Sequence, residues 1–165
     1  MEQDDVYTKL QPPAATPADE LCQCAEVPLK LMSALSYNPV HCMDCNLEVA
    51  PGTLAFSRSL VEAIAGWRDI YDAIDRLWLD SGPYEQWTRT ELTDITSAAN
   101  ARGRSVQQDI NSVRRCFYWY FQDQSVPQYR PITSCPVCGE PLTDYTNGIF
   151  LQRVCEKDSI VTSGE

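Results

Sequence analysis

A single histidine, His41, occurs in the 165 residues. That scarcity removes most acid–base and metal-assisted catalysis. No H-E-x-x-H, G-x-S-x-G, Walker loop or G-x-G-x-x-G occurs in the chain. A zinc deaminase needs H-x-E together with P-C-x-x-C, but His41 is followed by Cys42-Met43 and Cys135 is preceded by Ser134. Cysteine–histidine nucleophilic catalysis through Cys116 would need His41 and a third orienting group beside it, and nothing local supplies them. Basic residues are few as well: 13 Lys and Arg stand against 23 Asp and Glu, for a net charge of −10. Duplex binding draws on cations that neutralise phosphates, so this balance argues against wrapping duplex DNA. No stretch approaches the roughly 18 apolar residues of a membrane helix. The start, Met1-Glu2-Gln3-Asp4-Asp5, is acidic where a signal peptide would be basic. The reading is a soluble, cytoplasmic, non-enzymatic protein without membrane association.

The chain is nevertheless 44% hydrophobic and 22% charged, which are globular values. Residues 1–20, with Pro12, Pro13 and Pro17 among acids, read as a disordered tail. Residues 21–130 read as a helical core region with an N-terminal cysteine cluster, and 131–165 as a zinc-ribbon-like module. Leu60, Ile64, Trp67, Tyr71, Ile74 and Trp78 recur at three and four residues, which predicts a helix over about 59–80. Ser59 with Glu62 has capping-box spacing, and Ser81-Gly82-Pro83 is a stop. Two shorter helices follow, one around Trp87, Leu92 and Ile95 and one from Ala98 to Val113, with Gly103 as a weak point. The aromatic run Cys116 to Phe121 predicts a buried strand. Leu142–Thr146 and Ile149–Val154 predict a hairpin about an Asn147-Gly148 turn. The expected class is α+β: a helical middle on a small, mostly antiparallel sheet, with a C-terminal zinc-ribbon-like hairpin.

Eight cysteines are the informative excess. In a reducing compartment paired cysteines are more often metal ligands than disulfides. Cys135-Pro136-Val137-Cys138-Gly139 has the form of a knuckle: a tight turn brings both sulfurs to one side, Pro136 fixes its φ, and Gly139 is free to take a positive one. A redox pair would instead open a helix, whereas Gly139-Glu140-Pro141 and a hairpin follow here. Cys155 arrives at ribbon spacing, and Asp158 stands where a fourth cysteine is expected. Three thiolates and a carboxylate are an acceptable zinc set. Cys42-Met43-Asp44-Cys45 needs partners, and Cys22 and Cys24 are available. A different assembly joins Cys42, Cys45, Cys135 and Cys138 in one site, and buried free thiols are a further alternative. Zinc, if held, is structural. Asp69, Asp72 and Asp75 read as a solvated helix face. Arg102, Arg104, Arg114 and Arg115 are the one basic run, open to nucleic acid, to an acidic partner or to surface ion pairs.

Cys42-x-x-Cys45, then Trp67, Tyr71, Asp75, Leu77 and Trp78, then Gly82, Glu85, Tyr118-Trp119-Tyr120 and Cys135-Pro136-x-Cys138-Gly139 form an ordered set. In that order they resemble an uncharacterised bacterial family of zinc-ribbon-containing proteins whose label suggests nucleic-acid binding. The resemblance spans about residues 40–160. It implies a ribbon closed by a second Cys-x-x-Cys, from which this chain departs at Asp158, and it implies no enzymatic reaction. The expected role is protein binding. Single-stranded nucleic-acid or RNA binding is the alternative, and thiol redox chemistry a third.

Overall fold

The computed structural model describes residues 15–33 and 35–165. Most of the expected tail, residues 1–14, lies outside the described residues. Ala18–Glu20 form one 3-10 turn, and the Thr16 hydroxyl donates to Glu48 Oε2 at 2.6 Å.

Helix α1, Arg58–Leu79, follows from its apolar period: Leu60, Ile64, Trp67, Tyr71 and Ile74 are buried along one face. Its cap is Ser57, whose side chain accepts from Leu60 N, and not the expected Ser59. The shift costs the capping box, and Glu62 instead pairs with Arg58 at 2.8 Å. Helices α2, Glu85–Thr93, and α3, Ala98–Asn111, complete the helical layer. Trp87 stays exposed, and Ile95 falls in the link between them. That link is tied by Asn100, whose amide donates to the carbonyls of Glu91, Leu92 and Asp94 at 3.2, 3.0 and 2.8 Å. Gly103 does not break α3. A Cβ there would lie 2.5 Å from the Tyr118 ring and 2.6 Å from Trp67 Nε1, so its bareness admits two aromatic rings.

The helices cover one face of a six-stranded mixed sheet, ordered β2-β1-β3-β6-β5-β4. The strands are β1 Leu29–Leu31, β2 Val40–Cys42, β3 Cys116–Trp119, β4 Thr143–Tyr145, β5 Gln152–Cys155 and β6 Ile160–Ser163. Three pairings are antiparallel, while β3 runs parallel to both β1 and β6. The expected α+β class and mostly antiparallel sheet are therefore present. Strand β3 is fully buried over Cys116–Tyr118, as its aromatic run predicts, but pairing ends at Trp119. The Tyr120 hydroxyl turns to the Thr93 carbonyl, and Phe121 packs edge-on against Trp78 at 5.0 Å.

The hairpin differs from its expected form. Tyr145 pairs with Gln152, so Asn147-Gly148 is not a two-residue turn and the return strand begins three residues after Ile149. The reason lies in where the backbone hydrogen bonds go. Ile149 N donates to Asp44 O at 2.9 Å, on the segment after β2, instead of across the hairpin. Strand β6, which no pattern in the sequence announces, lies between β3 and β5, parallel to the one and antiparallel to the other.

Candidate metal centres

Cys22, Cys24, Cys42 and Cys45 gather their sulfurs within 4.8 Å of one another. Cys135, Cys138, Cys155 and one Asp158 oxygen do the same. Each group could hold a metal ion. The mixed set of Cys42, Cys45, Cys135 and Cys138 does not form, because the two pairs sit on opposite halves of the sheet, one after β2 and one before β4. All eight cysteines are free of disulfides, and Cys116 lies alone in the core.

The first group is built at the end of β2. Cys42 closes the strand, a turn carries Cys45, and Asn46 takes φ +65°. Cys22 and Cys24 come from an irregular segment, and Cys22 N is held by the Glu48 carbonyl at 2.8 Å. Backbone N–H groups point at the sulfurs: Asp44 N and Cys45 N donate to Cys42 Sγ at 3.3 and 3.4 Å, and Cys24 N to Cys22 Sγ at 3.3 Å. Such bonds stabilise thiolate charge. His41 faces away from the sulfurs, its ring nitrogens bonded to the Asn46 carbonyl and the Ser36 hydroxyl at 3.0 and 3.1 Å. It braces the turn.

In the second group Cys135 N is held by Glu140 O, and Gly139 N returns to Cys135 O. Gly139 has φ +78°, the conformation the knuckle reading asked of it. Cys155 ends β5, and Asp158 sits in the turn before β6, where Ser159 takes φ +53°. Cys135 and Cys155 lie 3.3 and 3.5 Å from Asp158 Oδ2, and the Cys138 and Cys155 sulfurs are 3.8 Å apart. Ligands about 2.3 Å from a tetrahedral ion stand close to that far from each other.

The electrostatics match a site that exchanges protons for an ion. Burial pushes the Cys22, Cys42, Cys135 and Cys155 thiols up, and the bond to Asp158 raises Cys138. Cys45 is the exception: burial acts upward, but the Leu47 N–H and the neighbouring thiols outweigh it and lower the group. The Cys138 thiol, with the other two, holds Asp158 below the usual carboxylate range. An ion entering either group would displace these protons, so its binding would strengthen with pH.

The basic run is largely spent on structure. Arg114 donates to the Val27 carbonyl at 3.2 and 2.8 Å. Arg115 bonds Ser159 and Glu156 at 2.8 and 2.6 Å and stacks 4.4 Å from the Phe117 ring centre. Arg102 lies over Gly66 of α1 and stays exposed, and Arg104 is half-buried. No helix of the described residues is long and apolar enough to cross a membrane. Sequence reasoning missed Lys30, buried in mid-strand, whose only signal was a cation between Leu29 and Leu31.

No curated protein and no solved structure matches the chain. The family described as Domain of unknown function (DUF2310) matches residues 29–122, from β1 through β3, and takes in Cys42 and Cys45 but not Cys22, Cys24 or the second group. That match covers more than half of the chain, and the protein belongs to this family.

Proposed function

We propose that this is a non-enzymatic, cytoplasmic protein stapled by two structural zinc ions, and that it works by binding a protein partner. The observation that carries the zinc reading is the pair of complete donor sets, four sulfurs in one and three sulfurs with a carboxylate in the other. Sulfur-rich tetrahedral sets favour zinc, and four protein ligands leave no position for a reacting water. The sites then fix loops and do not perform chemistry.

Partner binding rests on the surface. A concavity of about 420 Å³ lies between α1 and the segment after β2, lined by Tyr37, Val40, Leu54, Phe56, Val61 and Ile64. Tyr37 and Val61 are exposed apolar residues at its edge. Its neighbour across Arg68 carries Asp69 and Asp72, and the whole chain is acidic. This combination suits a basic polypeptide that inserts one apolar side chain.

The test is capture by the zinc-loaded full chain compared with Val61→Asp, with metal content measured on both. The expected result is two zinc ions in each protein and a partner held by the parent alone. A partner retained by Val61→Asp, or no stable partner at all, overturns the reading. Single-stranded nucleic acid is the second reading. It is favoured by the cleft of Trp78, Trp119 and Phe121, whose rings could stack bases. Salt-sensitive oligonucleotide retention that falls when Arg102 and Arg104 become Glu would support it instead.

A further inference from the structure

Helix α1 buries one face and leaves a second apolar line uncovered. Gly66, Ile70, Ala73 and Leu77 recur at four, three and four residues, the spacing of a seam between paired helices. Ile70 is 43% exposed and Leu77 38%, Ala73 is exposed and Gly66 is half-buried. The line runs about 16 Å along the helix. Nine residues, two and a half turns, separate Val61 from Ile70, so this line and the concavity beside Val61 lie on opposite flanks of α1.

The line is complementary to itself when reversed. An antiparallel copy that sets Ile70 opposite Ala73 also sets Leu77 opposite Gly66, so each bulky side chain meets a small one. A parallel copy would set Ile70 on Ile70 and Asp80 on Asp80, which crowds and repels. The antiparallel register brings opposite charges together. Asp69 and Arg76 precede the two bulky residues along the outer edge, and reversal places Asp69 of each copy beside Arg76 of the other. Both are exposed. Asp69 holds Arg68 through one carboxylate oxygen, while Arg76 makes no ion pair among the described residues. Asp80, which caps α1, is exposed and likewise without an ion pair among them. Reversal carries it to the Gly66 end of the other copy, where Arg102 Nη2 lies 2.9 Å from the place of a glycine Cβ. That guanidinium then also meets the carbonyl end of the second helix, where a cation is favoured.

We propose that the protein pairs with a second copy of itself, α1 against α1 in antiparallel, with Asp69–Arg76 and Asp80–Arg102 pairs repeated across the two-fold axis. A helix pair of this length buries less than the ~1,600 Å² of a standard interface, so the dimer is weak and dissociates on dilution. It leaves the concavity beside Val61 open and stands apart from the reading of that site.

Sedimentation equilibrium of purified, zinc-loaded full chain tests this, in reductant and over a wide range of concentration. The parent should pass from the mass of one chain to that of two as concentration rises. Asp69→Arg and Arg76→Asp should each weaken the dimer at least tenfold, and Ile70→Asp should abolish it. An equimolar mixture of the two charge variants should regain the parent's affinity, because every arginine then faces an aspartate. Metal content and helical circular dichroism check that each variant is folded. On the parent itself, amide shifts that change with concentration are expected over residues 66–80 and at Arg102, a readout that needs no variant. A parent with the mass of one chain up to millimolar concentration overturns the proposal. So do a dimer indifferent to Ile70→Asp, a mixture no tighter than its separate components, and concentration-dependent shifts confined to other segments.

Discussion

Asp75 sits on the buried face of α1, where the helical period asks for an apolar residue. Burial, and then the charge of Asp72, push its carboxyl up to about 6. In the unfolded chain such a group ionises near 3.9. The folded protein thus holds the proton more tightly, and the stability this brings fades as pH climbs through the folded value. Asp75→Asn should therefore gain on the parent in urea midpoint as pH rises from about 5 to about 8, and a gap that ignores pH would place the titration elsewhere. Gly103→Ala drives a methyl into Tyr118 and Trp67, and should cost about 1–3 kcal/mol in the same assay. Asp158→Cys replaces the one hard donor of the second group with a fourth sulfur. Slower metal loss to a chelator is the expected outcome.

At the scale of elements, the β4–β5 hairpin does two jobs. Its base carries Cys155 to the second group, and its far end grips the loop of the first. Tyr145 donates to Asp44 at 2.6 Å, Ile149 N to Asp44 O, and Gln152 to Met43 O. Tyr145 bonds Asp44 rather than a sulfur, yet Tyr145→Phe should speed metal release from the first group several-fold. Hydrogen exchange of residues 43–46 should rise with it, because a bond to a charged acceptor contributes about 1.5–3 kcal/mol. Much of the architecture was readable beforehand, for reasons that can be named. Helix α1 announces itself because Leu60, Ile64, Trp67, Tyr71 and Ile74 repeat with the helical period. The cysteine spacing announces the two Cys-x-x-Cys turns, since two residues between thiols make a turn whatever surrounds it, but which cysteines share a site is decided by the fold, which brings Cys22 and Cys24 to Cys42 and Cys45. What stayed hidden depends on contacts between distant segments. Asn147-Gly148 has the local chemistry of a tight turn, but Asp44, a hundred residues earlier, captures its neighbour. Arg114 and Arg115 look like a surface patch until Val27 and Glu156 are seen to take their donors. Lys30 reads as a solvent cation until β3 and β5 close around it.

Across the whole molecule, the apolar cluster between helices and sheet joins α1 and α3 to β1 and β3, and includes Cys42, Cys135 and Cys155 at its margins. Strong chelation should loosen the margins first. Far-ultraviolet circular dichroism is expected to keep most of its helical signal while amides of residues 132–160 lose protection. Complete loss of helix on chelation would show that the metals hold the core itself. The grip of the hairpin on the first cysteine loop also has a consequence during synthesis. All four sulfurs of the first group lie within the first 45 residues, whereas Tyr145, Ile149 and Gln152 emerge from the ribosome about a hundred residues later. At typical elongation rates of roughly 5–20 residues per second, the nascent chain spends on the order of ten seconds with its thiols exposed and their clamp unmade. An ion captured in that interval would sit in a loop without its clamp and would exchange more readily than after Tyr145 and Gln152 have closed on Asp44 and Met43.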